Sequence, residues 1–283
     1  MDPKIPLLFP IGHFYSPICD PVELREREAE LWPSAASGEM PGIALNIGVQ
    51  LRLLDVLAPF VPEIAFPYED PLGSPPRYFY RNDQYPCLDA EVLFCMLRHL
   101  RPNRVVEIGS GFSSLITAEV NRQFRYGAME FTCIEPYPRQ FLIDGVPGVT
   151  SLIRKKVQRM DPSFFSRLGA GDVLFIDTSH VAKAGSDVNY LFFEILPSLQ
   201  SGVLVHIHDI FLPDEYPKHW VIDQGRNWNE QYVVRAFLQY NEVFEIVWAS
   251  YYMCTRHAGE TAAIFSRFPK YGGGGSLWLR RRS

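Results

Sequence analysis

The sequence predicts an α/β fold: a Rossmann-like, doubly wound sheet of seven strands, mostly parallel with an antiparallel last strand, preceded by an N-terminal cap. Three observations carry this. From Leu88 onward, short β-branched apolar runs alternate with stretches of helical spacing, the pattern of buried parallel strands joined by helices. The first run ends in an acid and turns through Gly109-Ser110-Gly111 into a helix. Two late strands follow closely on one another, so the last should run antiparallel beside its neighbour.

Taken in order, Leu88–Leu100 reads as an amphipathic helix leading to a first strand, Arg104–Ile108. Val105, Val106 and Ile108 make that strand a buried one, and Ser113 or Ser114 can cap the helix that runs through Leu115 to Val120. The second strand is Phe131–Glu135 and the third about Thr150–Lys155. Asp161-Pro162 opens a short helix, with an acid to cap it and proline at its first position. Asp172–Asp177 is a continuous apolar run between acids, followed by a helix over Asp187–Leu199 and a fifth strand over Val203–His208. Glu230–Gln239 is helical, Val243–Ala249 is the sixth strand and Ser276–Arg280 the last. The glycine run 272–275 reads as a flexible turn before it, not a phosphate loop, since no helix follows.

Before residue 86 the chain is rich in proline and aromatics, with helices expected around Pro21–Leu31 and Asn46–Leu57. It is too apolar for a disordered tail. Residues 1–85 are therefore read as an ordered cap or substrate lid, and 86–283 as the main domain.

At 283 residues, 47% apolar and 21% charged, the chain has an ordinary globular composition, and its formal net charge of -5 argues against general nucleic-acid binding. No apolar run of about 18 residues exists, which excludes a transmembrane helix, and the N-terminus lacks the pattern of a signal peptide. Five scattered cysteines without CxxC spacing fit reduced thiols in a cytoplasm better than a zinc–thiolate site.

The chemistry begins at the turn. Gly109 and Gly111 allow positive φ and a close approach of backbone N–H groups to a ligand, at a helix N-terminus that favours anions. A lone Gly-x-Gly serves many nucleotides, but Phe112-Ser113-Ser114 stands where the dinucleotide fingerprint places its third glycine. Glu107, before the turn, suits a cationic amino-acid group, directly or through water. Glu135 can accept hydrogen bonds from ribose hydroxyls. At the carboxyl ends of the fourth and fifth strands, where open α/β sheets bind ligands, Asp177, His180, His208 and Asp209 should converge. Such a set can bind Mg²⁺ or a transition metal that acidifies a substrate hydroxyl. It can equally place a histidine as general base, with an aspartate fixing its tautomer.

Glu107-Ile-Gly-Ser-Gly111, Glu135 and Asp177 together resemble class I S-adenosylmethionine-dependent methyltransferases over roughly residues 86–283. Phe175-Ile-Asp-Thr-Ser-His180, His206-Ile-His-Asp-Ile-Phe-Leu-Pro213 and Trp228-Asn-Glu-Gln-Tyr232 resemble the bacterial methyltransferase-24 group more narrowly. The resemblance implies S-adenosylmethionine as cofactor, with Glu107, Gly109, Ser110 and Gly111 around its methionine part, Glu135 on the ribose, Asp177 at the same site, and the loop around Gln158 near adenine. It implies His180, His208 and Asp209 as catalytic residues. Catechol-type relatives hold a metal at similar strand ends, here Asp177, His208 and Asp209, although His208-Asp209-Ile210 departs from the Asp-Asn pair expected there. The acceptor this implies is a small molecule, natural-product-like or sugar-like, methylated on oxygen in preference to nitrogen or carbon. Self-association is left open.

Other readings are a nicotinamide-dependent oxidoreductase, disfavoured by the missing glycine and by the lack of a Tyr-x-x-x-Lys pair, and a non-catalytic cofactor-binding module. His206 alternates onto the face of His208 and reads as a core histidine. Asn229 is a candidate helix cap, and Glu230 a further ligand or base. The aromatics of Tyr78–Tyr85 and Trp248–Tyr252 divide between pocket wall and core filling, and His13–Pro17 could fold over the mouth.

Overall fold

The computed structural model describes residues 8–34, 38–73 and 75–282. Seven strands form one sheet in the order β3-β2-β1-β4-β5-β7-β6: β1 (Arg104–Ile108), β2 (Glu130–Ile134), β3 (Ser151–Ile153), β4 (Val173–Ile176), β5 (Leu204–Ile207), β6 (Phe244–Ala249) and β7 (Leu277–Arg281). The first five are mutually parallel, with Val106 opposite Thr132 on one side and Leu174 on the other. β7 runs antiparallel to both β5 and β6, slotted between them. The expected last strand is thus antiparallel to two neighbours. Chain order reverses at β1, with β2 on one side and β4 on the other, which opens a crevice at the strand carboxyl ends.

The helices are α1 (Pro21–Glu26), α2 (Glu28–Leu31), α3 (Ile47–Leu57), α4 (Cys87–Leu100), α5 (Phe112–Phe124), α6 (Gln140–Asp144), α7 (Asp187–Tyr190), α8 (Leu196–Ser198), α9 (Glu230–Leu238), α10 (Ser250–Arg256), α11 (Ala258–Ile264) and α12 (Phe268–Tyr271). Three differ from expectation. α4 is not amphipathic in effect: Cys87 through Leu97 are all buried, because α3, α5 and α12 cover its several faces. The single helix expected over Asp187–Leu199 is α7 and α8 joined by a wider π-helical turn, Leu191–Ile195. α10 to α12 fill a stretch for which no element was expected.

Leu54 and Leu57 of α3 belong to the same core as the sheet. Asn46 Nδ2 donates to the Ile246 carbonyl at 3.2 Å, and the Ala249 N–H donates to Gln50 Oε1 at 2.8 Å, so this segment is fastened to β6. The segment around Cys19 lies elsewhere, its N–H donating to Asn227 Oδ1. Among the described residues no helix is long and apolar enough to cross a membrane.

Candidate active site

β1 delivers the turn. Gly109 has φ 78°, and a Cβ there would lie 1.6 Å from the Asp177 carbonyl oxygen, so only glycine fits between β1 and β4. Gly111 differs from expectation: its φ of -165° is ordinary extended backbone. A side chain there would meet nothing within 4 Å, which leaves open space beside the backbone. α5 starts at Phe112 rather than being capped by Ser113 or Ser114. Ser114 Oγ instead accepts from the Gly111 N–H at 3.0 Å.

Glu107 sits beneath this turn and not on the cavity wall. It is fully buried, accepting from Ser113 Oγ at 2.5 Å and Ser114 Oγ at 2.6 Å. Burial pushes its carboxyl up to about 8, against the pull of the two serines. Direct contact with a cationic ligand is therefore replaced by a structural task, fixing the first turn of α5. Glu135 does reach the wall; it accepts from the Ser110 and Tyr137 N–H groups, at 3.2 and 2.7 Å, with lone pairs to spare.

One cavity of about 1000 Å³ runs from Gly109, Ser110, Gly111 and Glu135 to Asp177, His180, His208 and Asp209. The buried hydroxyls of Ser110 and Thr178 have no hydrogen-bond partner on its wall. The sequence-predicted residues thus converge, apart from Glu107. Gln158 also lies apart, donating to the Gly185 carbonyl beside a different depression.

His180 is the hub of the far end. Its Nδ1 is 2.8 Å from Glu230 Oε2, and its Nε2 faces Asp177 Oδ1 at 3.3 Å and Asp209 Oδ2 at 3.5 Å. Burial alone would lower its pKa, but Asp177 and Glu230 outweigh that and push it up to about 10. His208 lies between Asp89 Oδ2, 3.3 Å from its Nε2, and Asp177 and Asp209, each 3.6 Å from its Nδ1. The three aspartates likewise outweigh its burial and hold it well above the ordinary histidine range. Burial opposes ionisation of Asp177 too, yet the two imidazoles hold it below the usual carboxylate range. Asp209 is raised, because there burial prevails.

Backbone strain collects at the same place: His180 and Asp209 both lie in the left-handed region, with φ of 58° and 59°. Non-glycine residues there cost of order 1–3 kcal/mol, and such strain gathers at functional sites.

The residues that sequence reasoning missed are those that hold the cluster. Asp89, fully enclosed in α4, accepts from the Gly275 N–H at 2.8 Å and the Ser276 N–H at 3.1 Å while facing His208. A Cβ on Gly274 would lie 2.2 Å from that carboxylate. The glycine run expected to be a flexible turn is therefore wound tightly over a buried acid. Asn229 is not a side-chain cap of α9; its Oδ1 accepts from the Ala182 N–H at 2.6 Å, while the Asn229 and Glu230 N–H groups donate to the His180 carbonyl. His206 is a core histidine, stacked on Phe175 and bonded to Ser276 Oγ; burial takes it down to about 3. Of the aromatics, Tyr85 and Tyr251 reach the wall, whereas Tyr78, Tyr80, Trp248 and Tyr252 are core. His13–Pro17 is not part of the wall.

Asp177, His180 and Asp209 can each turn one ligand atom to a common point, these atoms lying within 4.8 Å of one another. This replaces His208 by His180 in the expected metal set, because His208 lies deeper, against Asp89. Glu230 behind His180 resembles the carboxylate that commonly orients a metal-binding imidazole.

Residues 106–210 match a family model described as a methyltransferase domain, of the methyltransferase-24 type. An uncharacterised protein of Archaeoglobus fulgidus is 39% identical over 170 residues, which are 59% of this chain and 77% of that protein. Two solved structures are more distant: a provisionally assigned methyltransferase of Thermobifida fusca (TM-score 0.43, 14% identity, 71% of this chain and 85% of that one) and a provisionally assigned O-methyltransferase of Klebsiella pneumoniae (0.37, 12%, 92% and 97%). The matched region runs from β1 through β5 and contains the Gly-Ser-Gly turn, Glu135 and the whole His/Asp cluster except what Asp89 and Glu230 add from outside. Residues 106–210 are thus a methyltransferase domain of the methyltransferase-24 type, the class I S-adenosylmethionine-dependent kind.

Proposed function

We propose that this protein transfers a methyl group to a hydroxyl oxygen of a small molecule held at the His/Asp end of the cavity. The observation that carries this is the continuity of one cavity between the glycine turn with Glu135 and the cluster of Asp177, His180, His208 and Asp209. The open space at Gly111 and the unpartnered hydroxyls of Ser110 and Thr178 fit the cofactor's polar portion, and Glu135 fits its ribose. When bound, S-adenosylmethionine supplies an activated methyl on a sulfonium centre. The chain's own residues orient the acceptor and take its proton.

The proton's destination differs from a simple histidine base. His180, pushed up to about 10, is cationic at neutral pH, and the aspartates around His208 shift it in the same direction. Their role is to stabilise the oxyanion that develops as the hydroxyl is deprotonated. Asp209, whose carboxyl is raised by burial, is the acceptor of that proton. A second reading has a specific observation behind it: Asp177, His180 and Asp209 fit a divalent cation, with Glu230 orienting the imidazole. Such a cation would acidify the acceptor hydroxyl directly.

In either case the cap reading of residues 1–85 is supported at 82–85, which contribute wall, while α3 packs into the core of the sheet. The free cysteines support a cytoplasmic setting. Calorimetry with S-adenosylmethionine, S-adenosylhomocysteine and NAD tests the cofactor, and binding of NAD alone would overturn the reading. Methyl transfer to a hydroxyl-acceptor panel, before and after exhaustive chelation, tests the metal. Activity that survives chelation removes it, and activity that returns only with added cation establishes it.

A further inference from the structure

The cavity wall carries four carboxylates, Asp83, Glu135, Asp177 and Asp209, but only two guanidinium groups. Arg139 lies over Phe112 at the glycine-turn end, its guanidinium carbon 5.1 Å from the ring centroid. Arg226 is at the other end, half-buried, 4.1 Å from the Trp220 ring and 4.6 Å from the Trp228 ring. Trp228 in turn lies 4.3 Å from the His180 imidazole. Arg226 is therefore one indole away from the hub of the chemical cluster.

Its guanidinium makes no ion pair or hydrogen bond with any described residue. In so acidic a cavity that is unusual: a half-buried arginine ordinarily pairs with a carboxylate, as Arg256 does with Asp214 at 2.8 Å nearby. The two indoles hold Arg226 by ring quadrupole and dispersion. That fixes its plane without neutralising its charge, and it leaves the in-plane N–H fork unoccupied. A rigid fork of this kind matches a carboxylate or phosphate bidentately.

We propose that Arg226 is the specificity residue for the acceptor, and that the acceptor carries an anionic group, carboxylate or phosphate, about one ring's width from the hydroxyl that is methylated. The anion sits on the Arg226 fork, and the hydroxyl is thereby directed past Trp228 toward His180 and Asp209. This rests on the methyltransferase reading for its chemistry, but not for the binding of the anion.

The test is calorimetric titration of the protein saturated with S-adenosylhomocysteine, using benzoate, phenyl phosphate and benzamide as probes. At least one anion should bind about tenfold or more tightly than benzamide, and the better of the two identifies the group the site prefers. Arg226→Gln should abolish that preference while leaving affinity for S-adenosylhomocysteine unchanged. Benzamide binding as well as both anions, neither anion binding at all, or a preference that survives in Arg226→Gln would each overturn the proposal. Should Arg226→Gln also weaken S-adenosylhomocysteine by disturbing the tryptophan pair, Arg226→Lys decides. Its retained charge must preserve part of the anion preference, and complete loss there overturns the proposal. Failure of the wild type to bind S-adenosylhomocysteine breaks the methyltransferase reading instead, and the same three probes are then titrated without it.

Discussion

At one end of the cavity the wall is made by neighbours in sequence. Gly109, Ser110 and Gly111 are consecutive, Glu135 caps the adjacent strand, and Glu107 braces the turn through Ser113 and Ser114. At the other end His180 is oriented by Glu230, 50 residues later, and His208 faces Asp89, from a helix that precedes the whole sheet. The cofactor end is one local supersecondary unit. The acceptor end exists only as a tertiary assembly of strand ends, α4, α9 and the glycine run. A local unit of the first kind can be shared among many proteins with different substrates, whereas an assembly of the second kind is where, on the function proposed above, selectivity would reside.

The sharpest way to break the comparison is to disable the far end alone. Asp209→Asn should lower methyl transfer by about 100-fold or more, the range for losing a positioned acid–base group, while calorimetric affinity for S-adenosylhomocysteine stays unchanged. A matching loss of cofactor affinity would show that the two ends are not separable. Gly109→Ala should instead damage both, since its Cβ would strike the Asp177 carbonyl. The strain at a positive φ alone is about 1–3 kcal/mol, and the clash adds to it, so thermal unfolding should shift down strongly together with cofactor binding.

Glu135→Ala confines the damage to the near end. Cofactor binding should weaken by about 1–3 kcal/mol, with anion binding at Arg226 intact. Unchanged cofactor affinity would remove Glu135 from the site. The smallest effect comes from the brace. Glu107 has its carboxyl raised to about 8 in the folded chain, so its contribution to stability is full below about pH 4.5 and is lost as pH rises toward 8. From pH 6 to 7 this costs on the order of 1 kcal/mol. Chemical denaturation of Glu107→Gln over that interval should show the slope removed, and a slope equal to wild type would refute the assignment.

How much could be read in advance follows the same division. The strands were legible because each is a short apolar run with its own boundary signals, and β1 with its glycine turn is the plainest of them. Asp177, His180, His208 and Asp209 were legible as a set because strand carboxyl ends are known to meet. Asp89 was not, since an acid in the first turn of a helix usually marks a solvated end, and only the burial of α4 on several faces turns it inward. Arg226 gave no local sign either, because its meaning depends on two tryptophans closing on it. The direction of the histidine pKa shifts was likewise invisible, as it depends on three carboxylates arriving from separate elements.

The hydrogen bonds from Gly275 and Ser276 join the first turn of α4 to a segment 186 residues further along the chain. A nascent chain exposes residues 87–177 first, and these hold β1, both strands beside it and the Asp177 carbonyl against which Gly109 packs. Asp89 must meanwhile wait, buried or solvated, for a partner that is translated almost two hundred residues later. Until that segment emerges, the carboxylate that faces His208 lacks its two backbone donors.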